Sequence, residues 1–169
     1  MSEHAAAANE VMSTLVGLRC EAIDNPHGSI IRLELGEFAN QVDDPPGARP
    51  HAYRDITVYS PWRLENNDRV LADWNLPSAP NDDIPQALAV LVGSHLLEAH
   101  CVMPSCDLDL RFTGGRRLYV FADSDPEDSS WFVLGTDGLC AAAGPLKASG
   151  GGFRIESRGA PGSATPGSA

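Results

Sequence analysis

From Asp107 the chain runs Asp107-Leu108-Asp109-Leu110-Arg111-Phe112-Thr113-Gly114-Gly115-Arg116-Arg117-Leu118-Tyr119-Val120-Phe121. Leu108, Leu110 and Phe112 alternate with charged residues at the period-two spacing of a strand with one buried face. The glycine pair supplies the conformational freedom of a tight turn, and a second apolar run follows it, so an antiparallel hairpin is predicted. A two-residue Gly114-Gly115 loop sets Leu110 opposite Tyr119, whereas a three-residue loop sets it opposite Val120. Loop length therefore decides which aromatic rings face the core.

Strand signals continue on both sides of this hairpin. Ile31, Leu33 and Leu35 alternate with Arg32 and Glu34 in a stretch closed by Gly36. Asp55 to Leu64 has Ile56, Val58, Trp62 and Leu64 on one face if the strand continues through Pro61, which implies an edge or a bulge because proline lacks the ladder donor. Asn66-Asn67-Asp68 is turn material before Val70–Trp74, a predicted hairpin partner. Leu96–Met103 and Trp131–Leu134 read as further strands, ended by Pro104-Ser105 and Asp137-Gly138.

Two segments read as helices. Val11, Met12, Leu15, Val16 and Leu18 fall near helical spacing, giving an N-terminal helix over about residues 9–18 behind an alanine run. The second has Asp83 as a cap, Pro85 in the first turn and Gly93 at its close, with Ile84, Leu88, Leu91 and Val92 as the buried stripe. Successive hairpins rather than crossover helices predict an α+β fold: an antiparallel or mixed sheet of about six to seven strands with two helices packed on it. Residues 1–143 form one domain on this view, and the Gly/Ala/Ser/Pro-rich residues 144–169 form a mobile tail.

The chain has 169 residues, 23 of them acidic and 12 basic, for a formal charge of −11. That balance disfavours nucleic acid and anionic lipid as partners and would speed encounter with a basic protein. The start lacks the basic and apolar regions of a secretory signal, and no window is apolar enough to span a membrane. Cytoplasm is the expected compartment, with Cys20, Cys101, Cys106 and Cys140 as reduced thiols.

No stretch matches a catalytic or cofactor fingerprint, and no cofactor is expected. His95, His100, Cys101 and Cys106 are the densest set of metal-ligand types. On a regular strand His95 and Cys101 share a face while His100 points away, so the pair is a weak zinc candidate and the cluster reads as structural. Asp123, Asp125, Glu127 and Asp128 lie in an acidic connection that lacks the glycine and distal glutamate of a calcium loop and reads as a solvated surface. Gly93-Ser94-His95 lacks the second glycine of a nucleophile elbow. Trp62, Trp74 and Trp131 read as core-filling, although an exposed tryptophan would mark a binding surface. Trp62 with Arg63, and the acidic connection 123–128, are the binding candidates.

Ile56-Thr57-Val58, Trp62-Arg63-Leu64, Leu91-Val92-Gly93, the Asp107–Phe121 hairpin and Trp131 together resemble uncharacterised small bacterial domains of the toxin-immunity type, over about Arg54 to Leu134. The resemblance carries no catalytic residues and implies a cytoplasmic binder whose surface complements a toxin. The leading expectation is thus a non-enzymatic protein-binding domain with a basic partner. Two alternatives stand beside it: a small hydrolase or metal-dependent enzyme using His27, His51, His95 and His100 brought together by the fold, and an accessory or structural subunit.

Overall fold

The computed structural model describes residues 3–40, 44–75, 83–122, 130–137, 139–143 and 153–157, with backbone alone for 3–5, 83, 139–143 and 153–157. The chain opens with helix α1 (Glu3–Ser13), followed by β1 (Cys20–His27), β2 (Ile30–Ala39), β3 (His51–Val58), β4 (Trp62–Asn66) and β5 (Arg69–Asp73). Helix α2 (Asp83–Leu88) and a 3-10 turn at Ala89–Leu91 precede β6 (Leu96–Val102), β7 (Asp107–Phe112) and β8 (Arg116–Val120). The last strands are β9 (Trp131–Gly135), β10 (Leu139–Ala143) and β11 (Phe153–Ser157).

The fold is α+β, and its strands form two antiparallel sheets rather than the single sheet expected. One runs β1-β2-β3-β9 and is continued by β10 and β11; the other runs β5-β4-β8-β7-β6. The division lies at Tyr59-Ser60-Pro61, where proline implied an edge or a bulge if one strand continued through it; β3 instead ends at Val58 and β4 starts at Trp62. Val58 pairs with Ile31 and Trp131 in the first sheet, and Trp62 pairs with Val120 in the second. Pro61 has no N–H for a ladder, but its carbonyl accepts from the Phe121 N–H at 2.8 Å, so proline sits where the chain changes sheets.

The hairpin forms with a three-residue loop, but one placed so that its register differs from both expected pairings. Its loop is Thr113-Gly114-Gly115, Phe112 pairs with Arg116, and Leu110 stands opposite Leu118. Both glycines have positive φ, 79° and 72°. This register gathers Leu108, Leu110, Phe112, Leu118 and Val120 on one buried face and sends Tyr119 outward. The burial of five apolar side chains selects it, because a one-residue slip would turn one strand's apolar set to solvent.

Helix α1 starts and ends earlier than the predicted span of 9–18. Ala8, Val11, Met12 and Leu15 form its buried stripe, while Val16 is exposed. The Ser13 and Thr14 hydroxyls donate to the Glu10 and Val11 carbonyls, and Gly17 takes φ 87°, so the chain leaves the helix before Leu18. Val92 is likewise exposed rather than part of the second helix's stripe. The α-helix gives way to the 3-10 turn after Leu88, and Val92 is extended at ψ 129°. Of the expected tail, Phe153–Ser157 pairs with β10 in register from Ala143↔Phe153 to Leu139↔Ser157; residues 144–152 and 158–169 lie outside the described residues. Strands β1 and β10 carry no apolar alternation and were not anticipated.

One core joins both sheets and both helices, drawing on Met12 and Leu15, on Leu33 and Ile56, on Leu64 and Leu110, and on Ile84 and Leu88. Two fully buried tryptophans tie the sheets together across it. Trp62 in β4 donates its indole N–H to the Ser29 carbonyl of the β1–β2 turn at 2.7 Å, and Trp131 in β9 donates to the Cys106 carbonyl ahead of β7 at 2.8 Å. Trp74 is half-buried at the margin, its carbonyl accepting from the Ser29 hydroxyl. Arg54 is buried in β3, holds Asp137 with two bonds of 2.8 and 2.9 Å, and reaches Thr14 at the end of α1. A buried guanidinium in this position is stable only because a carboxylate and neutral acceptors surround it. Among the described residues no helix is long and apolar enough to cross a membrane.

The cross-sheet bonds have a measurable consequence. Trp62→Phe and Trp131→Phe keep an aromatic ring but leave a buried carbonyl without its indole donor, at an expected loss of about 1–3 kcal/mol each. Trp131→Ala should cost about 3–5 kcal/mol through the cavity it opens. Urea unfolding reads these differences, and phenylalanine variants as stable as the parent would show that the indole bonds contribute nothing.

Candidate functional site

Strand parity builds a polar platform on the outer face of the five-stranded sheet. Because Leu108, Leu110 and Phe112 point inward, Asp107, Asp109 and Arg111 point outward; Arg117, Tyr119 and Phe121 follow on β8 and its end, and Arg63 and Glu65 on β4. These charges interlock across the strands. Arg111 lies 3.4 Å from Glu98 on β6 and 3.4 Å from Asp109, and Arg117 holds Asp109 with bonds of 2.7 and 3.0 Å. Arg117 also reaches Glu65 at 3.6 Å, and Arg63 bonds Glu65 at 2.6 Å.

Arg111 and Arg117 are direct cross-strand partners, an arrangement that like charge disfavours. Asp109 resolves it by bonding both guanidinium groups. Burial alone would raise the Asp109 pKa, but the hydrogen bonds and charges of Arg117, then Arg111, outweigh it and hold the carboxyl below its ordinary value. The Arg117 guanidinium is held charged chiefly by its bond to Asp109.

Aromatic rings complete the platform. Tyr119 and Phe121 stand 4.9 Å apart, Arg117 lies over Tyr119 at 4.9 Å, and Arg63 lies over Phe121 at 5.5 Å. The Tyr119 hydroxyl donates to Asp107, and its pKa is raised by burial first and by the Asp107 charge second. Where the β4–β5 and β7–β8 turns meet β6, the surface sinks into an open cleft of about 680 Å³ whose walls include Glu65, Asp68, Val70, Leu97, Glu98 and Arg117. Leu97 and Glu98 also border a second concavity of about 410 Å³, shared with Asn9, Ser13 and Val16 at the end of α1.

The outer face of the other sheet is built on the same plan. Glu34 is nearly buried between Arg49 at 2.8 Å and Arg32 at 3.4 Å, and Arg32 also approaches Asp24 and Asp55. Burial raises the Asp55 pKa, with the Arg32 charge acting against it. Tyr59 meets Phe132 edge-on at 5.2 Å, beside an exposed Leu134.

The sequence candidates divide. Trp62 is core, 1% exposed with its indole nitrogen satisfied, so it presents nothing to a partner; Arg63, its neighbour, is on the platform. Asp123, Asp125, Glu127 and Asp128 lie outside the described residues. His95 and Cys101 do not share a face: a bulge between Leu96 and Glu98 shifts the parity of β6, leaving His95 exposed and Cys101 buried. Cys101 and Cys106 are buried side by side and their contact raises the Cys101 pKa, while burial pushes Cys20 up to about 12; all three are free and buried.

Among the described residues, His27, His51, His95 and His100 form no common site. His27 and His51 face opposite ends of β2, where His27 pairs with Ile30 and His51 with Ala39. His51 approaches Asp44 at 3.4 Å, and His100 approaches Glu98 at 3.7 Å, as separate pairs. Among the described residues no group of three His, Cys, Asp or Glu side chains is placed to hold a metal. Ser94 is buried with its hydroxyl bonded to Arg116 and to the Val90 carbonyl, a structural role.

No family model, curated protein or solved structure matches the chain. The platform therefore rests on its own geometry. Tyr119, Phe121 and Leu97 were not singled out as site residues in sequence, whereas Asp109 was expected to balance the hairpin arginines across strands and does so for Arg111 and Arg117. The alternation of Arg117, Tyr119 and Phe121 against Leu118 and Val120 was the available signal, but it becomes usable only once the register is known.

The Asp109 pairing sets a pH dependence. A carboxyl whose folded pKa is lowered adds stability above its unfolded value of about 3.9, and that stability disappears as pH falls through the lower folded value. Asp109→Asn should therefore be less stable than the parent near neutral pH, with the difference closing toward about pH 3. Urea midpoints measured across that range test it; a gap that is constant with pH would mean that the carboxylate charge plays no part.

Proposed function

We propose that the chain is a non-enzymatic protein-binding domain that covers a basic protein partner with its acidic surface, acting in the bacterial cytoplasm as an immunity-like neutraliser. The resemblance to toxin-immunity domains supports this reading, and one observation carries it. Of the nine arginines whose side chains are described, seven (Arg19, Arg32, Arg49, Arg54, Arg63, Arg111 and Arg117) lie within 4.0 Å of a carboxylate of the same chain. The described cations are thus largely neutralised internally, and the chain's formal surplus of 11 negative charges is what an approaching protein meets.

The platform has the side-chain types that concentrate binding energy at interfaces. Phe121 is exposed beside Arg63, and Tyr119 is half-exposed beside Arg117. Their ring and guanidinium geometry is fixed by neighbours, so little rotamer freedom is lost on binding. Burial of this face against a partner would also exclude water from the Glu98-Arg111-Asp109-Arg117-Glu65-Arg63 ladder and strengthen it.

Co-purification of the tagged chain from its native host at low and high ionic strength tests the proposal. A stoichiometric basic protein, retained at low salt and released at high salt, is the expected result. A partner that is acidic, or whose retention does not change with salt, would overturn it.

A further inference from the structure

We infer that the β6–β7 turn is a binding site for monovalent copper, held by the sulfurs of Cys101, Met103 and Cys106. The site is independent of the protein-binding reading above. All three ligands come from one short stretch, Cys101-Val102-Met103-Pro104-Ser105-Cys106. Cys101 is the last buried residue of β6, and Cys106 ends the turn at φ 62° with its side chain fully buried. The two thiols are hydrogen-bonded to each other, and the Cys106 thiol donates to the Met103 sulfur at 3.6 Å. Met103 packs against the core from the turn itself. Three sulfurs that share one ion at about 2.3 Å each stand roughly 4 Å apart. Cys106 already touches both of the other sulfurs, so a ligand set of that size forms by small side-chain adjustments.

The donors select the metal. Two thiolates and a thioether are soft ligands, the kind that monovalent copper takes in preference to the oxygen donors of magnesium, calcium or manganese. A structural zinc site has four ligands, commonly cysteine and histidine. No fourth ligand of that kind joins this set among the described residues. His100, next to Cys101 in the chain, is on the outer face of β6 and approaches Glu98. The Asp107 carboxylate is engaged by the Tyr119 hydroxyl and the Ala122 N–H. The remaining neighbour is the Pro104 carbonyl, a hard oxygen 3.9 Å from the Cys106 sulfur. The thioether of Met103 is thus what raises the thiol pair to a three-ligand site.

Binding breaks two S–H bonds and forms three metal–sulfur bonds. Two protons leave to solvent as one copper ion enters, and no oxidation state changes, so affinity falls as pH falls. The exchange leaves one net negative charge at the site, which a dry interior would penalise. Met103 is half-exposed, and Pro104 and Ser105 are exposed, so the ion enters through the turn and its charge stays close to water. The Cys106 carbonyl accepts the Trp131 indole N–H at 2.8 Å, which anchors the ligand-bearing turn to the other sheet and holds its sulfurs in place before the ion arrives.

The test titrates the full chain, reduced and kept from oxygen, with monovalent copper in competition with a chromogenic copper(I) chelator. Cys101→Ala and Cys106→Ala each remove a thiol, and Cys20→Ala removes a buried thiol outside the turn. Met103→Leu keeps the side-chain volume while removing the thioether, so it tests the site without opening a cavity. Urea unfolding of the metal-free proteins confirms that each variant folds.

The expected result is one copper ion per chain, retained by Cys20→Ala, lost by the two turn cysteine variants, and bound about tenfold or more weakly by Met103→Leu. X-ray absorption at the copper edge should then show a shell of three sulfurs. A folded parent that yields all its copper to the chelator would overturn the site. So would equal affinity in Met103→Leu, a copper shell containing nitrogen or oxygen, or oxidation of Cys101 and Cys106 to a disulfide in place of copper uptake. None of these outcomes bears on the basic-partner proposal, which the co-purification decides.

Discussion

Two indole N–H groups tie the two sheets together across the core, beside the backbone bonds that join Leu18 and Cys20 to Gly93, Ser94 and Leu96 at one margin. Each sheet alone has one apolar face, and burying those faces against each other is non-directional: it favours contact without fixing how the sheets sit. Trp62 reaches from the second sheet to the Ser29 carbonyl of the first, and Trp131 reaches from the first to the Cys106 carbonyl of the second. An unpaired indole N–H inside the core would be costly, so these reciprocal bonds set the relative placement of β4 and β9 and, with it, where the intervening chain can pass. The change of sheet at Tyr59-Ser60-Pro61 lies immediately before Trp62, and the Tyr59 N–H donates to the carbonyl of Ser130, immediately before Trp131. The same few residues therefore end one ladder, start the other and anchor both.

Fixing the sheets in this way frees their outer faces, and the two faces are made alike. Each has arginines threaded between carboxylates on neighbouring strands, Arg32 among Asp24, Glu34 and Asp55 on one, Arg111 and Arg117 around Asp109 on the other. Ion pairs exposed to water contribute little stability, typically under about 1 kcal/mol each. Their larger effect here is to use up the cations. A chain with 12 basic residues and 23 acidic ones could present positive patches, but among the described residues the arginines on the sheet faces are mostly paired with carboxylates. The platform on the second sheet adds exposed rings and a groove to that field, and these give it the features of a recognition surface.

Much of the fold was legible in residue order. The hairpin, the strand at Ile31–Leu35, the strand at Trp131 and both helices announce themselves because burial of one face imposes a period of 2.0 or 3.6 on the side chains. Strands β1 and β10 were not legible: Asp24-Asn25-Pro26 in one and Cys140-Ala141-Ala142 in the other carry no alternation, and they are strands because a neighbour's open ladder recruits them. The candidate site was less legible than the fold. Arg63 was singled out, but Trp62 beside it went to the core, since adjacent residues on a strand face opposite ways. The pairing of His95 with Cys101 depended on an unbroken strand, and the bulge at Leu97 removed it.

What the sequence by itself determined is the inventory: an α+β chain of hairpins, a strongly acidic balance, and one apolar face for each element whose side chains alternate. Those properties are local, depending on spacing and composition along a few consecutive residues. What only the tertiary structure decided is the count of sheets, the hairpin register, and the meeting of Leu97, Glu98 and Val70 around one cleft. These are set by which ladder a strand joins and by where a single extra residue shifts parity. Both are chosen by the summed burial of the whole core, and no local stretch of sequence carries that sum.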